Sequence, residues 1–499
     1  MARKAVVSLD LDAHGGIRGI LALHVTLFHL LEKTTWQGQI GCAESSVTPF
    51  FILSGFTLAA IDARGSYRDS KPNADSEAAA ASALEAAFPP PPPQPAPEKR
   101  AGKSTLAFYV ARLARVAPVH YVTTAACVPL WYVSAGVAPP PLVFVAVRLA
   151  IQALFLNTVD GGFVPRYFKA VNDPAWTVGT LVIFWFMLPF LLPRVQKWPT
   201  EWLRRAVVWA FWLQAAAYLS ILAFTYDLER VDTPVFYLAY QSPYSRFAVF
   251  FMGVAAGVWH ARLGADDVVH WPAPLTWISP TTLCAASMPL LAGDADAWAR
   301  VSDASAALWV GSQVTATILS LFHLGGGTSD RLRQRVTVAT RRDLLIPGLC
   351  FLQCTCLFAM TLDQRRSRVS KFCMRPTLQW LGRVSMSLYL THDVIYRYAY
   401  VVLHAKRGQL PGEAAPILFV IAVLASVVMF YGVEEPARKW LRPARKIQPK
   451  PPPSPPPAAP STLEPAGGGA VVRAPHADKP DKPLLVRLDS LPVNAAGVA

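Results

Sequence analysis

Residues 18–31 read R-G-I-L-A-L-H-V-T-L-F-H-L-L, an unbroken apolar run with Arg18 at its start and His29 near its end. Such a run predicts a helix. Eleven residues at about 100° each return to within roughly 20° of the starting direction. Arg18 and His29 therefore share one face, about three turns apart, and His24 falls on the opposite side. Because ionisable side chains are costly in lipid, this face should meet a protein interior or a wet cavity.

Taken alone, this helix is equally consistent with a simpler explanation. A terminal arginine snorkels to the membrane surface, and a core histidine with a satisfied hydrogen bond has no further role. The rest of the chain is needed to choose between the two interpretations.

The composition is that of a polytopic membrane protein. The chain has 499 residues, of which 53% are hydrophobic and 16% charged, whereas soluble domains have about 25% charged residues. The net charge of +15 comes from basic residues in tails and short loops between apolar runs, which membrane topology explains better than nucleic-acid binding. Seven cysteines without a C-x-x-C pair do not indicate zinc, and no histidine spacing indicates another metal.

The apolar runs predict an all-α fold, a polytopic transmembrane helical bundle of about ten to twelve helices. The predicted helices cover roughly 15–32, 46–62, a segment that begins near Phe108, 141–158, 175–193, 206–226, 246–261, 274–292, 304–324, 344–362, 378–404 and 415–432.

Four segments organise the chain. Residues 1–63 hold the first two transmembrane helices, 64–104 form a disordered, charged and proline-rich linker, 105–442 hold the remaining transmembrane helices, and 443–499 form a disordered, proline-rich basic tail. No cleavable signal peptide is apparent. Basic residues at the N-terminus, in the linker and in the tail predict that both termini are cytoplasmic. Arginines flank 344–362 on both sides, which suggests a re-entrant segment there or a wrong neighbouring helix.

Two further groups of charged residues lie near helix ends. Arg112 and Arg115, three residues apart, share a helix face next to the linker. A guanidinium pair suits phosphate binding but also suits a positive-inside anchor. Glu434, at the end of the last span, has three possible roles: pairing with one of these arginines, orienting His29, or tying helix ends together.

Seven motifs, in order between residues 18 and 440, resemble those of the membrane-bound acyltransferase-3 family, which includes polysaccharide O-acetyltransferases and nose-resistant-to-fluoxetine-like proteins. The motifs are R-G-I-L-A-L-H-V-T-L-F-H from Arg18, F-F-I-L-S-G-F from Phe50, R-L-A-R-V-A-P from Arg112, N-D-P-A-W-T from Asn172, R-F-A-V-F-F-M-G from Arg246, G-R-V-S-M-S-L-Y-L-T-H from Gly382 and E-E-P-A-R from Glu434.

The resemblance implies transfer of an acyl group, most often acetyl, from cytoplasmic acyl-CoA to a hydroxyl of a carbohydrate or lipid-linked acceptor. His29 is then the general base, because an imidazole can take the hydroxyl proton at neutral pH. Arg18, Arg112 and Arg115 bind the acyl-CoA donor, with Arg18 alternatively stabilising the thioester oxyanion. Glu434 and His392 complete the predicted catalytic set, and no metal is expected.

The chain also departs from the family pattern. Gly15, Thr48 and Leu181 stand where the family usually has acidic residues, and Asp12 would need a local insertion to replace the first. These losses favour a non-catalytic relative that binds lipid or a protein partner, with the proline tracts at 89–97 and 449–460 as possible docking segments, whereas the retained residues of the site oppose it: Arg18, His29, Arg112 and Arg115. A proton-coupled carrier is a third possibility, although the sequence shows none of the internal repeats that such carriers have.

Overall fold

The computed structural model describes residues 9–36, 44–70, 105–133, 141–160, 168–224, 237–263, 268–269, 290–291, 295–324, 345–403 and 410–441. All of them belong to one unit, Met1–Pro443. This part of the chain is helical, which confirms the all-α prediction, and the number of helices is near the predicted range. The only strands described are β1 (Val268–Val269) and β2 (Leu290–Leu291), which pair antiparallel.

The helices follow the predicted runs closely. They are α1 (Asp12–Glu32), α2 (Glu44–Ser70), α3 (Thr105–Cys127), α4 (Leu130–Val133), α5 (Leu142–Ala153), α6 (Ala175–Val195), α7 (Thr200–Phe224), α8 (Pro243–Ala261), α9 (Ala295–Leu324), α10 (Leu345–Leu362), α11 (Arg368–Cys373), α12 (Pro376–Val402), α13 (Ala415–Met429) and α14 (Glu435–Leu441). π-helical turns at Tyr237–Gln241 and Phe430–Glu434 precede α8 and α14.

Some predicted segments differ from the structure or lie outside it. α2 continues to Ser70, past the boundary predicted at residue 63. The remainder of the predicted linker and the tail from residue 443 lie outside the described residues. So does the predicted span at 274–292, apart from the two residues of β2. The segment at 344–362 is a helix, α10, with its inner residues buried in the protein.

Three helical stretches in the described part are long and apolar enough to cross a membrane: Ser45–Arg64, Ala175–Val195 and Gly412–Leu441. The last is mostly unburied, and its exposed side chains include Ile417, Leu424 and Val428. A continuous apolar surface of this kind is typical of a helix that contacts lipid.

α1 and α12 pack side by side in the same direction, and glycines set their close approach. A Cβ on Gly382 would lie 2.0 Å from the Gly15 carbonyl oxygen, and a Cβ on Gly19 would lie 2.8 Å from the Gly382 nitrogen. Gly16 allows the end of α11 to come equally close, since a Cβ there would lie 1.9 Å from the Cys373 carbonyl oxygen. Small residues let helix backbones come this close. Gly19 of α1 contacts Gly382 of α12. His29 and His392 each lie ten residues, about three turns, further along their helices, and their rings are also in contact.

A second glycine contact joins α2 to α8. A Cβ on Gly55 would lie 2.3 Å from the Phe250 carbonyl oxygen, and one on Gly253 would lie 2.2 Å from that of Ile52. Both glycines belong to the quoted motifs, so packing accounts for part of the motif pattern. The contact fixes α2 so that Phe50, Ser54 and Thr57 face α1, α6 and α12.

An ion-pair cluster holds the start of α1 against the segment between α10 and α11. Arg365 donates hydrogen bonds to the carboxylates of Asp10 and Asp12. Burial by itself raises the pKa of Asp10, but the hydrogen bond and charge of Arg365 outweigh it, so the pKa of this carboxyl lies below its ordinary value. The same interaction raises the pKa of Arg365.

Candidate functional site

Helices α1, α2, α3, α6 and α12 enclose a cavity of about 100 Å³. Arg18 from α1 and both Arg112 and Arg115 from α3 line it. Its remaining walls are mainly apolar and aromatic, formed by Phe50, Phe51, Leu58, Val116, Leu181, Trp185, Met386 and Tyr389. The cavity thus combines three guanidinium groups with an apolar interior.

The three arginines come together because α1 and α3 both face this cavity. Arg18 donates from Nη2 to the Thr57 hydroxyl at 3.3 Å, and the Arg112 guanidinium lies 5.6 Å from the centroid of the Phe108 ring. No acidic residue is among the described side chains that line the cavity. A cluster of this kind attracts anions, because guanidinium groups form paired hydrogen bonds with phosphate.

Glu434 approaches this arginine cluster from the side. The π-helical turn Phe430–Glu434 buries its carboxylate, which accepts a hydrogen bond from Ser387 at 2.7 Å and lies 3.9 Å from Arg115 Nε. Turns of this type often mark functional sites. Of the roles considered for Glu434, the geometry shows the arginine pair; the carboxylate that contacts His29 is a different one, Glu32.

His29 stacks against His392, with ring centroids 5.4 Å apart and planes 18° apart. His29 Nδ1 lies 3.3 Å from the Glu32 carboxylate. A hydrogen bond to a carboxylate requires a proton on Nδ1, which leaves Nε2 with a free lone pair in the neutral ring. The His29 side chain is 33% exposed, so a substrate can reach it.

His392 is fully buried beside this ring. Its Nδ1 lies 3.1 Å from the Leu388 carbonyl oxygen, which can only accept, so Nδ1 carries the proton. Its Nε2 has no hydrogen-bond partner among the described residues. His392 therefore also presents a lone pair inside the protein.

The histidines and the arginine-lined cavity are neighbouring but separate. Arg18 and His29 are eleven residues apart on α1, a rise of about 16 Å, and neither histidine is among the described residues that line the cavity. The structure therefore places Arg18 with Arg112 and Arg115, and this separation does not support oxyanion stabilisation by Arg18 next to His29.

Two aromatic rings stand between the cavity and His392. Tyr389 and Phe50 both line the cavity, and their ring centroids are 5.8 Å apart. Tyr389 also contacts His392, one turn further along α12, with ring centroids 6.1 Å apart. The two rings form the end of the cavity nearest the histidines.

A buried ion-pair network lies beyond the histidines and was missed in the sequence. Asp393 accepts from Lys33 at 2.9 Å and from Arg397 at 2.6 Å, and Arg397 also pairs with Asp173 at 2.6 Å. The network joins Lys33, directly after α1, and Asp173, shortly before α6, to the second half of α12, and so ties these three segments together next to His392. No local sequence pattern predicts a contact between residues 33 and 393.

Glu32 was also missed, although its signal was present. It follows His29 by three residues, a spacing that puts two side chains on adjacent positions of one helix face. Tyr389 lies inside a quoted motif, but its position between two sites depends on how α12 packs against α2.

The structure shows what surrounds the three positions where the acidic residue is missing. Thr48 accepts a hydrogen bond from the buried Arg246 at 3.2 Å, so a hydroxyl occupies that position. At Gly15, a Cβ would lie 2.9 Å from the side-chain oxygen of Gln379, the end of a flexible side chain, and packing does not explain why the acid is missing there. Leu181 extends the apolar wall of the cavity. Asp12 pairs with Arg365 and does not replace the acid missing near Arg18.

Comparison with known families gives a match over most of the chain. A family model described as an acyltransferase domain matches residues 9–431, which include every quoted motif up to α13. No curated protein and no solved structure was found to be similar to the chain.

Proposed function

Since the chain belongs to the acyltransferase-3 family and is therefore a membrane acyltransferase, we propose that it transfers an acyl group from acyl-CoA to a hydroxyl of a carbohydrate or lipid-linked acceptor. In this proposal Arg18, Arg112 and Arg115 bind the donor and His29 is the general base. The product is an O-acyl ester, and acetyl is the proposed acyl group.

The observation that carries the proposal is the grouping of three arginines around one apolar cavity. Acyl-CoA has a phosphate-rich head, a long flexible arm and an apolar acyl group. The guanidinium groups suit the phosphates, and the apolar walls suit the arm. His29 lies about three turns from Arg18 along α1, and His392 of α12 stacks against it. An extended donor can span this distance while its head stays on the arginines.

The proposed reaction moves one proton in each direction. The hydroxyl of the acceptor gives its proton to Nε2 of His29 as its oxygen attacks the thioester carbonyl. The tetrahedral intermediate collapses, the carbon–sulfur bond breaks, and the departing thiolate takes the proton back. Glu32 holds the imidazole by its Nδ1–H and stabilises the imidazolium. General base catalysis of this kind contributes roughly 10²- to 10⁴-fold.

His392 supports His29 in this scheme by holding the orientation of its ring through the stacked contact. Glu434 acts on the donor side, where it positions Arg115. The donor is proposed to enter from the arginine end on the cytoplasmic side, with both termini cytoplasmic, and the acceptor from the exposed side of His29.

Transfer of a labelled acetyl group tests this proposal. The purified full-length protein in detergent is given radiolabelled acetyl-CoA and a panel of sugar and lipid alcohols, and ester formation is measured. Replacement His29→Ala should lower transfer by about 10²-fold or more while binding of acetyl-CoA is kept. Replacement Arg18→Ala should weaken donor binding by about tenfold or more, the value of a hydrogen bond to a charged group.

Matched controls separate these effects from damage to the fold. His24→Ala removes another histidine from α1, one that contacts Ser46 on the opposite face, and should leave the rate of transfer much less affected. Arg205→Ala removes an exposed arginine paired with Glu201 and should leave donor binding unchanged. Equal losses in His29→Ala and His24→Ala would rule out a base role for His29.

A second candidate is a non-catalytic relative that binds acyl-CoA or another lipid anion. The observation in its favour is Leu181, which puts an apolar side chain in the cavity wall where the family usually has an acid. The same experiment separates the two candidates. Binding of acetyl-CoA that depends on Arg18, without ester formation on any acceptor or on water, would support the non-catalytic relative.

A further inference from the structure

We infer that Tyr389 and Phe50 form a constriction that limits the size of the acyl group reaching His29 and His392, and so make the protein selective for short acyl chains. The inference rests on the proposed function, because it concerns the donor that the arginine-lined cavity would hold. It adds two specificity-determining residues and a class of donor, acyl-CoA with a chain of a few carbons.

The order of side chains along three helices defines the path. On α2, Thr57 lies at the level of Arg18, Ser54 one turn away at the level of Trp185, and Phe50 one turn further. On α12, Tyr389 contacts Phe50, and His392 follows one turn later. A donor held by the arginines therefore meets the Phe50 and Tyr389 rings before it meets a histidine.

The two rings close this end of the cavity in the structure. Centroids 5.8 Å apart with a tilt of 58° put the rings in direct contact. Tyr389 is almost fully buried, and its ring also packs against His392. The acyl group passes only when the Phe50 and Tyr389 rings move apart. A wider acyl group requires a larger displacement of these packed side chains.

The walls beside the two rings leave little freedom for them to move. Trp185 lines the cavity next to them, and a hydrogen bond from its indole nitrogen to the Ser54 hydroxyl at 3.0 Å fixes that wall. Acyl groups of a few carbons need the smallest displacement of these packed side chains, so they are the group that the constriction admits.

The test compares two donors in wild type and in variants that carry a smaller side chain at Tyr389 or Phe50. Purified full-length protein in detergent is given acetyl-CoA or octanoyl-CoA, and release of free CoA is measured in the presence of the same pooled hydroxyl acceptors. In wild type the ratio of kcat/KM for octanoyl-CoA to that for acetyl-CoA should be low. Tyr389→Leu should raise this ratio by about tenfold, the effect of one or two methylene groups in an apolar pocket.

Phe50→Leu provides a second, independent variant and should raise the ratio in the same direction. Tyr389→Phe keeps the ring and should leave the ratio unchanged. Leu188→Ala, on α6 and buried outside the cavity lining, creates space elsewhere in the core and should also leave it unchanged. General loosening of the fold lowers both rates together and does not move the ratio.

The failure of the inference is distinguishable from failure of the proposed function. If wild type transfers acetyl groups but neither Tyr389→Leu nor Phe50→Leu raises the ratio, the constriction is wrong and the proposed function stands. The inference is also overturned if Leu188→Ala raises the ratio as much as Tyr389→Leu does. If wild type releases CoA from neither donor, the proposed function fails and this inference with it.

Discussion

At the scale of single residues, the environment of a charge decides its importance to stability. Asp393 is only 2% exposed and accepts from two cations, of which Lys33 is 8% exposed. Asp173 pairs with the same arginine but is 40% exposed. Loss of one partner from a buried pair leaves an uncompensated charge, whereas exposed pairs contribute little.

We expect Asp393→Asn to destabilise the protein by about 3 kcal/mol, because it leaves Lys33 buried without its carboxylate. The melting temperature in detergent measures the effect. Since the network adjoins the histidine pair, the rate of acyl transfer should fall as well.

Asp173→Asn is the matched control for this change. It removes a carboxylate that also pairs with Arg397 but lies at an exposed position. The free energy of unfolding should fall by about 1 kcal/mol or less. Equal shifts of the melting temperature in the two variants would show that burial of Asp393 does not increase the contribution of its ion pairs to stability.

At the scale of helices, the contact between α1 and α12 controls the site. The backbones approach closely at Gly382, where a Cβ would lie 2.0 Å from the Gly15 carbonyl oxygen. The same two helices carry His29 and His392, whose stacked rings depend on the register and spacing of this contact. A small change far from the histidines therefore acts on the site through the helix pair.

Replacement Gly382→Ala should force α1 and α12 apart and lower stability by about 1–3 kcal/mol, the usual effect of overpacking. It should also lower transfer, because His29 and His392 move relative to each other. Thermal unfolding and the acetyl-transfer rate, measured on the same preparation, check both effects.

Gly311→Ala serves as the control for this helix contact. A Cβ at Gly311 in α9 would meet nothing within 4 Å. Alanine is favoured over glycine inside a helix by about 0.5–1 kcal/mol, so the variant should be as stable as wild type or slightly more stable. A loss of stability like that of Gly382→Ala would contradict the packing argument.

At the scale of the whole molecule, the exposed apolar surface of the bundle is suited to contact with lipid. The stretch Gly412–Leu441 is among the three that are long and apolar enough to cross a membrane, and 22% of its most apolar window is buried in the protein. Leu424, near its middle, and Val428 are exposed. An exposed apolar surface of this extent is typical of a helix that contacts lipid.

We expect Leu424→Lys to reduce integration of the protein into membranes, because a lysine at the centre of a transmembrane helix costs about 2.5–3.5 kcal/mol. The fraction resistant to alkaline carbonate extraction measures integration. Trp440→Lys, near the end of the same stretch and beside the charged residues Lys439 and Glu435, should have a much smaller effect. Equal extraction of both variants would argue against a lipid-facing position for Leu424.

Much of the fold could be predicted from sequence, because the length and polarity of an apolar run are local properties. The predicted runs at 175–193, 246–261 and 378–404 correspond closely to α6, α8 and α12. The order of seven motifs identified the family, which the family match confirms. The end of a helix was harder to predict where apolar and charged residues alternate: α2 extends to Ser70, beyond the predicted boundary.

The sequence by itself determined that this protein is an all-α membrane acyltransferase with Arg18 and His29 on one helix face. Only the tertiary structure decided which polar side chains meet: Arg18 with the arginines of α3, Glu434 with Arg115, His29 with His392. The physical reason is range. A helix forms from interactions a few residues apart, whereas a site forms from residues hundreds of positions apart, whose contacts depend on the register in which glycines allow the helices to pack.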